Sequence, residues 1–450
     1  MPQLLSTSRG SGRARSGPLR FAAILAGVGL LVAACGTNAG SSAPGASAGA
    51  PGASASQAAG SQAPAVSPAA SVGGTLTVWA MGNEGVKLKD LAATFMKDNP
   101  GTTVNVTPVD WGQAVAKLTT AIAGHQTPDV SQMGTDMMGQ FAATSALETV
   151  PASFQASTFF QSAWNTNIVN GTVYGVPWYV ETRVLYYRKD IATKAGITSP
   201  PATWDDLTAM ATAMQAKGGA KWGISLGTQN WQEYLPFLWS NGGDVMDGSG
   251  KFQLNSPQAV EALTYYESFF KAKLTPTSVP AGFDITPAFV AGTNPMFFSG
   301  PWHLGLIKTA GGAAFDSKWA IALMPKKVTA TSFIGGGNMV VYKDSKNKDL
   351  AWKFVQYLAD PKTQLAWYAD VTDLPAVQAA WDDPTLKGDA NVELFGQQLK
   401  DTKAQPATST WSQLATALNG TLEKMTTGGM DPKAAADEMQ QEATTIGTGQ

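Results

Sequence analysis

From residue 75 onward, apolar side chains recur at two spacings that take turns along the chain. Thr75-Leu-Thr-Val-Trp-Ala80 alternates as a half-buried strand does, and residues 87–99 then place Leu88, Leu91, Ala92, Phe95 and Met96 on one helical face. Asn99-Pro-Gly101 stops that helix. A strand over 103–109 follows, then a helix through Val115, Leu118 and Ile122, then a Gly/Pro-bounded apolar segment at Pro128-Asp-Val130. Strand, helix, strand, helix, strand is the grammar of a parallel sheet with helices on its faces.

The same grammar returns further on. Strands are expected at 184–187, 222–226, 318–323 and 339–342, and helices at 203–214, 256–271, 349–358 and 411–425. The helix after Pro200-Pro201 begins Thr203-Trp-Asp-Asp206, a capped start. In the last helix Trp411, Leu414, Ala415, Leu418, Leu422 and Met425 share one face. No repeat of solenoid type is present, and 450 residues with 44% hydrophobic side chains suffice for two α/β lobes, each with its own core.

The first 74 residues follow neither spacing. Arg9, Arg13, Arg15 and Arg20 precede an apolar run over 21–34 that ends in small residues, as a secretory signal does; the run is too short for an ordinary transmembrane helix. Leu31-Val-Ala-Ala-Cys35-Gly36 resembles a bacterial lipobox, so residues 1–34 are expected to be removed and Cys35, the single cysteine of the chain, to carry lipid. A lone cysteine also has no disulfide partner within an exported chain. Acyl chains contribute about 0.8 kcal/mol per buried methylene, so two of them hold a protein on a membrane face. Residues 35–74 are almost entirely Ala, Gly, Ser, Pro and Gln, a composition that buries too little to offset its ordering entropy and predicts a flexible tether.

Charge narrows the partners. The formal net charge is −2, and removing the arginine-bearing signal makes the remainder more acidic, which argues against nucleic acid. The two histidines, His125 and His303, have no second histidine at i+4 and no nearby cysteine, so no metal site is expected, and no cofactor motif appears. Gly335-Gly-Gly337 lacks the Lys-Ser or Lys-Thr of a phosphate-binding loop and predicts instead a loop whose backbone approaches a ligand or hinge closely.

Six blocks in order carry a family resemblance: Leu76-Thr-Val-Trp79 with Asn83-Glu84; Pro128-Asp-Val130 through Asp136 to Phe141; Gly171-Thr-Val-Tyr-Gly-Val-Pro177 with Val180-Glu-Thr-Arg-Val-Leu-Tyr-Tyr187; Asn241-Gly-Gly-Asp244; Phe297-Phe-Ser-Gly-Pro-Trp302; and Gly335-Gly-Gly-Asn338. Together they resemble the extracellular solute-binding proteins of carbohydrate ABC transporters, the maltose-binding class. The resemblance implies an α/β fold of two doubly wound lobes joined by a multi-strand hinge, the type II periplasmic-binding arrangement, with ligand in the interlobe cleft. By it the N-lobe holds 75–182 and 300–342 and the C-lobe holds 183–299 and 343–450. It further implies a monomer that delivers a di- or oligosaccharide to ABC permease subunits at the extracytoplasmic face, without catalysis.

A saccharide receptor needs flat aromatic plates for C–H faces and carboxylates or amides for hydroxyls. Among fourteen tryptophans, Trp302 in its glycine-broken turn is the first stacking candidate, followed by Trp411, Trp231, Trp178 and Trp79; each has a core-packing alternative. Asp136 and Glu181 are the acids expected to accept from sugar hydroxyls, with Asn83, Glu84 and Gly336 at ligand-facing edges. Asp136 could instead cap a helix, and Glu181 could pair with Arg183 two residues on. Met133 and Met137 stand where relatives often place an aromatic or basic group, which leaves the sugar's identity open. A glycoside hydrolase using Asp136 and Glu181 is one alternative. A receptor of the same fold for glycerol-3-phosphate or another polar solute is another.

Overall fold

The computed structural model describes residues 73–280 and 283–449. The expected signal, Cys35 and the tether up to residue 72 lie outside them; Gly74 already opens the first strand. The strands are β1 (Gly74–Met81), β2 (Thr102–Val109), β3 (Val130–Gly134), β4 (Ile168–Val169), β5 (Thr172–Val173), β6 (Val176–Thr182), β7 (Val184–Arg188), β8 (Met296–Ser299), β9 (Trp319–Ala322), β10 (Ser332–Val341), β11 (Leu374–Pro375) and β12 (Thr402–Lys403).

The larger sheet runs β11-β6-β10-β3-β1-β2, with β12 on β10. Its β1, β2 and β3 are parallel, and β10 runs antiparallel to both β3 and β6. Helix Gly82–Asp98 returns over β2 with Leu88, Ala92 and Phe95 buried, and helix Trp111–Ala123 returns toward β3 with Ala114, Leu118 and Ala121 buried. Fully burying such a side chain contributes roughly 1.5–3 kcal/mol, so these faces, rather than helix propensity, seat the two helices.

The smaller sheet is antiparallel β8-β7-β9, extended by a parallel bridge from Ser225 to Phe297. Alternation along β7 divides its side chains between two cores: Val184 and Tyr186 join the cluster under the first lobe, Leu185 and Tyr187 the cluster of the second. Tyr186 stacks on Phe297 at 5.0 Å and on Trp319 at 5.9 Å, while its hydroxyl donates to the Gly300 carbonyl at 2.7 Å.

Three sequence expectations are corrected here. Residues 222–226 form no strand, only the Ser225 bridge, because Gly223 and Ile224 both donate to the Leu274 carbonyl instead of to a ladder. Gly335-Gly-Gly337 is no loop but the middle of β10, where the register to β6 shifts between Gly337 and Asn338. Strand pairing and core packing also cut across the expected lobe ranges. β9 pairs with β7, so 319–322 belong to the second sheet; helices Lys348–Leu358 and Pro361–Val371 pack their apolar faces into the core beneath β1 and β6. Only the last helices, Trp411–Thr426 and Pro432–Ile446, return to the second core. The chain crosses between lobes at Arg183, between β6 and β7, and again where β10 begins: Ser332 Oγ donates to the Arg183 carbonyl at 2.7 Å. The expected capped helix is present, with Thr203 and Asp206 forming a capping box.

Candidate functional site

Beside these crossings lies a cavity of about 320 Å³ whose walls come from both lobes. Glu84, Trp111, Asp136, Tyr179 and Asp373 line it from the first lobe; Trp302 and Gln232 line it from the second; Glu181, Arg183 and Gly336 line it at the crossing. The position is the crevice beyond the carboxyl ends of β1 and β3, where open α/β sheets leave room for ligands.

Each wall residue is held by local chemistry. Asp110 caps helix Trp111–Ala123 by accepting from Gly112 N at 2.9 Å, which leaves Trp111 at the first helical position, 37% exposed. Glu84 sits in the first turn of helix Gly82–Asp98 and accepts from Tyr179 Oη at 2.9 Å. Tyr179 Oη in turn accepts from Gln132 Nε2 at 3.0 Å, and Gln132 Oε1 accepts from Met81 N at 2.6 Å. This buried relay fixes the carboxyl of Glu84 from behind. Arg183 donates to both oxygens of Glu181 at 3.4 Å, a long pairing, and its guanidinium lies 4.6 Å from the centroid of the Trp302 ring.

Glycines make the site possible at two places. A Cβ on Gly300 would run into the Trp302 ring, so only glycine lets the indole fold back over the turn that Tyr186 holds. Gly336 has φ of 129°, and a Cβ there would strike the Tyr179 carbonyl, so β10 can pass this close beneath β6 only without a side chain.

Four carboxyl groups and one guanidinium share the cavity. Burial pushes Glu84 above the ordinary carboxylate range against the opposing hydrogen bond from Tyr179, and pushes Asp136 up with help from the charge of Glu181. Asp373 is raised well above that range by burial and by repulsion from Glu84 and Glu181, although Trp367 Nε1 donates to it at 3.1 Å. A carboxylate accepts from hydroxyls, and a carboxyl that burial keeps protonated can also donate. A phosphate would meet those acids with a single arginine to balance them.

Of the residues singled out from sequence, Glu84, Asp136, Glu181, Trp302 and Gly336 converge on this cavity. Five do not. Trp178 is 1% exposed and packs against Trp367 at 4.6 Å; Trp231 and Trp411 are buried in the second core, edge to face at 5.0 Å. Trp79 lies in an outer groove with Lys117 Nζ 4.4 Å from its ring, and Asn83 is exposed on the first turn of its helix. These five lie away from this cavity, the buried tryptophans because partners distant in sequence pack around them. Trp111, Tyr179, Gln232 and Asp373 were missed. For Trp111 a signal existed: an Asp N-cap and a tryptophan at the first helical position directly after a parallel strand.

The sequence pattern of bacterial extracellular solute-binding proteins matches residues 79–365. The chain belongs to that family. Among its solute-binding relatives, the galactooligosaccharide-binding protein of Bacillus subtilis is 24% identical over 93% of this chain and 95% of its own. The diacetylchitobiose binding protein DasA of Streptomyces coelicolor is 26% identical over 82% and 88%. The sugar-binding protein MalE of Xanthomonas citri superimposes with a TM-score of 0.78 at 30% identity, covering 83% of this chain and 97% of that one. The fold is therefore that of two-lobed solute-binding proteins. No helix among the described residues is long and apolar enough to cross a membrane.

Proposed function

We propose that this protein is the extracytoplasmic receptor of an ABC importer, that it closes its two lobes around a saccharide, and that it performs no chemistry on it. The observation that carries this reading is one cavity lined by Trp111 from the first lobe, Trp302 from the second and an arc of carboxyl groups between them. Indoles suit the C–H faces of sugar rings, and the acids suit their hydroxyls. The relatives support it: their names specify galactooligosaccharide and diacetylchitobiose, and the GacH receptor of Streptomyces glaucescens, TM-score 0.75 at 25% identity, was crystallised with acarbose.

The two-lobed lining supports closure around the ligand. A ligand stabilises the closed form only by the contacts it makes in that form alone, and walls drawn from both lobes supply them. The permease would then recognise the closed shape. The receptor would work as a monomer, tethered through lipid on Cys35; alanine at that position should release it from membranes into the medium. The acid-rich lining disfavours glycerol-3-phosphate.

Calorimetry and thermal shift across mono-, di- and oligosaccharides test the reading. A saccharide at one hundred times its dissociation constant should stabilise the protein by about 2.7 kcal/mol, without releasing new reducing ends, while glycerol-3-phosphate leaves it unchanged. Stabilisation by no saccharide would refute it.

A further inference from the structure

Charge in the interlobe cavity does not balance. Glu84, Asp136, Glu181 and Asp373 line it against a single guanidinium, that of Arg183, and no lysine lines it. Arg183 is already engaged: it donates to both oxygens of Glu181 and lies against the ring of Trp302. Glu84, Asp136 and Asp373 are left without a cation. Neutral groups meet two of them, Tyr179 Oη donating to Glu84 at 2.9 Å and Trp367 Nε1 to Asp373 at 3.1 Å. Asp136 has less. Its own backbone N–H assists it, but no side chain among the described residues donates to it, and its carboxyl folds over Gly134, where a Cβ would strike Oδ1.

An unpaired carboxylate in a closing cavity is costly, because closure removes the water that solvates it. These groups respond by holding protons: burial raises Glu84, Asp136 and Asp373, and the charge of Glu181 adds repulsion to each. A neutral saccharide can hydrogen-bond to the acids but leaves the imbalance in place. A cation removes it. The acids ring the cavity rather than gather at one point, since among the described residues no three acids, histidines or cysteines are grouped to hold a metal ion. That spread suits a positive charge carried on a ring that fills the space, and the indole of Trp111 attracts cations as well as C–H faces.

We propose that the ligand is a basic saccharide, one bearing a free amine, whose ammonium is held by Asp136 while Glu84 and Asp373 supply the surrounding negative charge. This rests on the saccharide reading of the cavity and adds the charge of the ligand and the residue that recognises it. Asp136 is the anchor because its carboxyl is the one that no neighbouring side chain satisfies. An N-acetyl or hydroxyl group in place of the amine brings no charge, so the site discriminates among sugars of one skeleton by charge.

The test is calorimetry on the full chain at pH 7 with three matched sets: glucosamine against glucose and N-acetylglucosamine; galactosamine against galactose and N-acetylgalactosamine; the β-1,4 disaccharide of glucosamine against cellobiose and diacetylchitobiose. A sugar amine titrates near the α-amino reference of about 7.7–8.0, so it is mostly protonated there. In a set that binds, the amine should bind at least about tenfold tighter than both neutral partners, the effect of one hydrogen bond to a charged group. Asp136→Asn should shrink that preference to less than about threefold, and Asp373→Asn should reduce it by a smaller factor. Each is read as a ratio within one protein, so a general loss of affinity cancels. A preference under about threefold in every set that binds, or one undiminished in both variants, overturns the basic ligand while leaving saccharide capture intact. Binding in none of the sets overturns both.

Discussion

Glu233→Gln has a consequence for stability that requires no ligand. Burial raises the Glu233 carboxyl from 4.5 to about 7, with the Gly227 N–H bond and the charge of Arg183 pulling the other way. Between those values the folded protein keeps a proton that the unfolded chain has released, so stability falls as pH rises through the window. At 1.36 kcal/mol per pH unit the loss is ~3 kcal/mol, complete above pH 7. Glutamine keeps an oxygen for the Gly227 N–H and cannot ionise, so the variant escapes this loss. His303 slopes the opposite way: lowered from 6.5 to about 4, it contributes stability that is present above 6.5 and lost as pH falls toward 4. In the wild type these two terms oppose each other between about pH 4.5 and 6.5. In the variant the Glu233 term is gone while every other titrating group is unchanged, so the comparison with wild type isolates it. Urea unfolding followed by tryptophan fluorescence from pH 4.5 to 8 measures both curves, with Trp231 beside the substituted residue as a reporter in the second core. The stability of Glu233→Gln relative to wild type should improve by ~3 kcal/mol between pH 4.5 and pH 8. A difference that stays constant with pH would show that Glu233 titrates normally and that its burial carries no cost.

The remaining expectations concern the cavity walls. Trp302→Ala should weaken saccharide binding by about 1–3 kcal/mol by calorimetry with the circular dichroism spectrum unchanged, whereas Trp79→Ala, whose ring packs against Lys117 and the core beside β1 rather than the cavity, should leave affinity as it was. Gly336→Ala should lower the unfolding free energy by about 1–3 kcal/mol, since both the φ of 129° and the Tyr179 carbonyl oppose a side chain there; an unchanged denaturation midpoint would contradict the close approach of β10 and β6.

Local periodicity was enough to place most elements, because burial of one face leaves its spacing in the residues themselves. The alternation in β1, the helical face of Leu88, Ala92 and Phe95, and the Thr203 cap all reappear in the structure, as do Glu84, Asp136, Glu181 and Trp302 around one cavity. What local pattern could not decide was which indole faces the cleft. Trp178 follows Pro177 and Trp231 follows a polar loop, yet both are buried by partners far along the chain, Trp367 for one and Phe333 and Trp411 for the other. Trp111, at the first position of its helix, stands in the cavity because the strand before it ends at the crevice. Gly335-Gly-Gly337 carries no strand pattern at all; β10 exists there because β3 and β6 lie on either side to satisfy its backbone, a circumstance of packing that no stretch of ten residues encodes alone. The residues determined which segments are helix or strand and which side chains could meet a sugar. Contacts between distant segments decided which of them line the cavity, since burial depends on what the rest of the chain brings alongside.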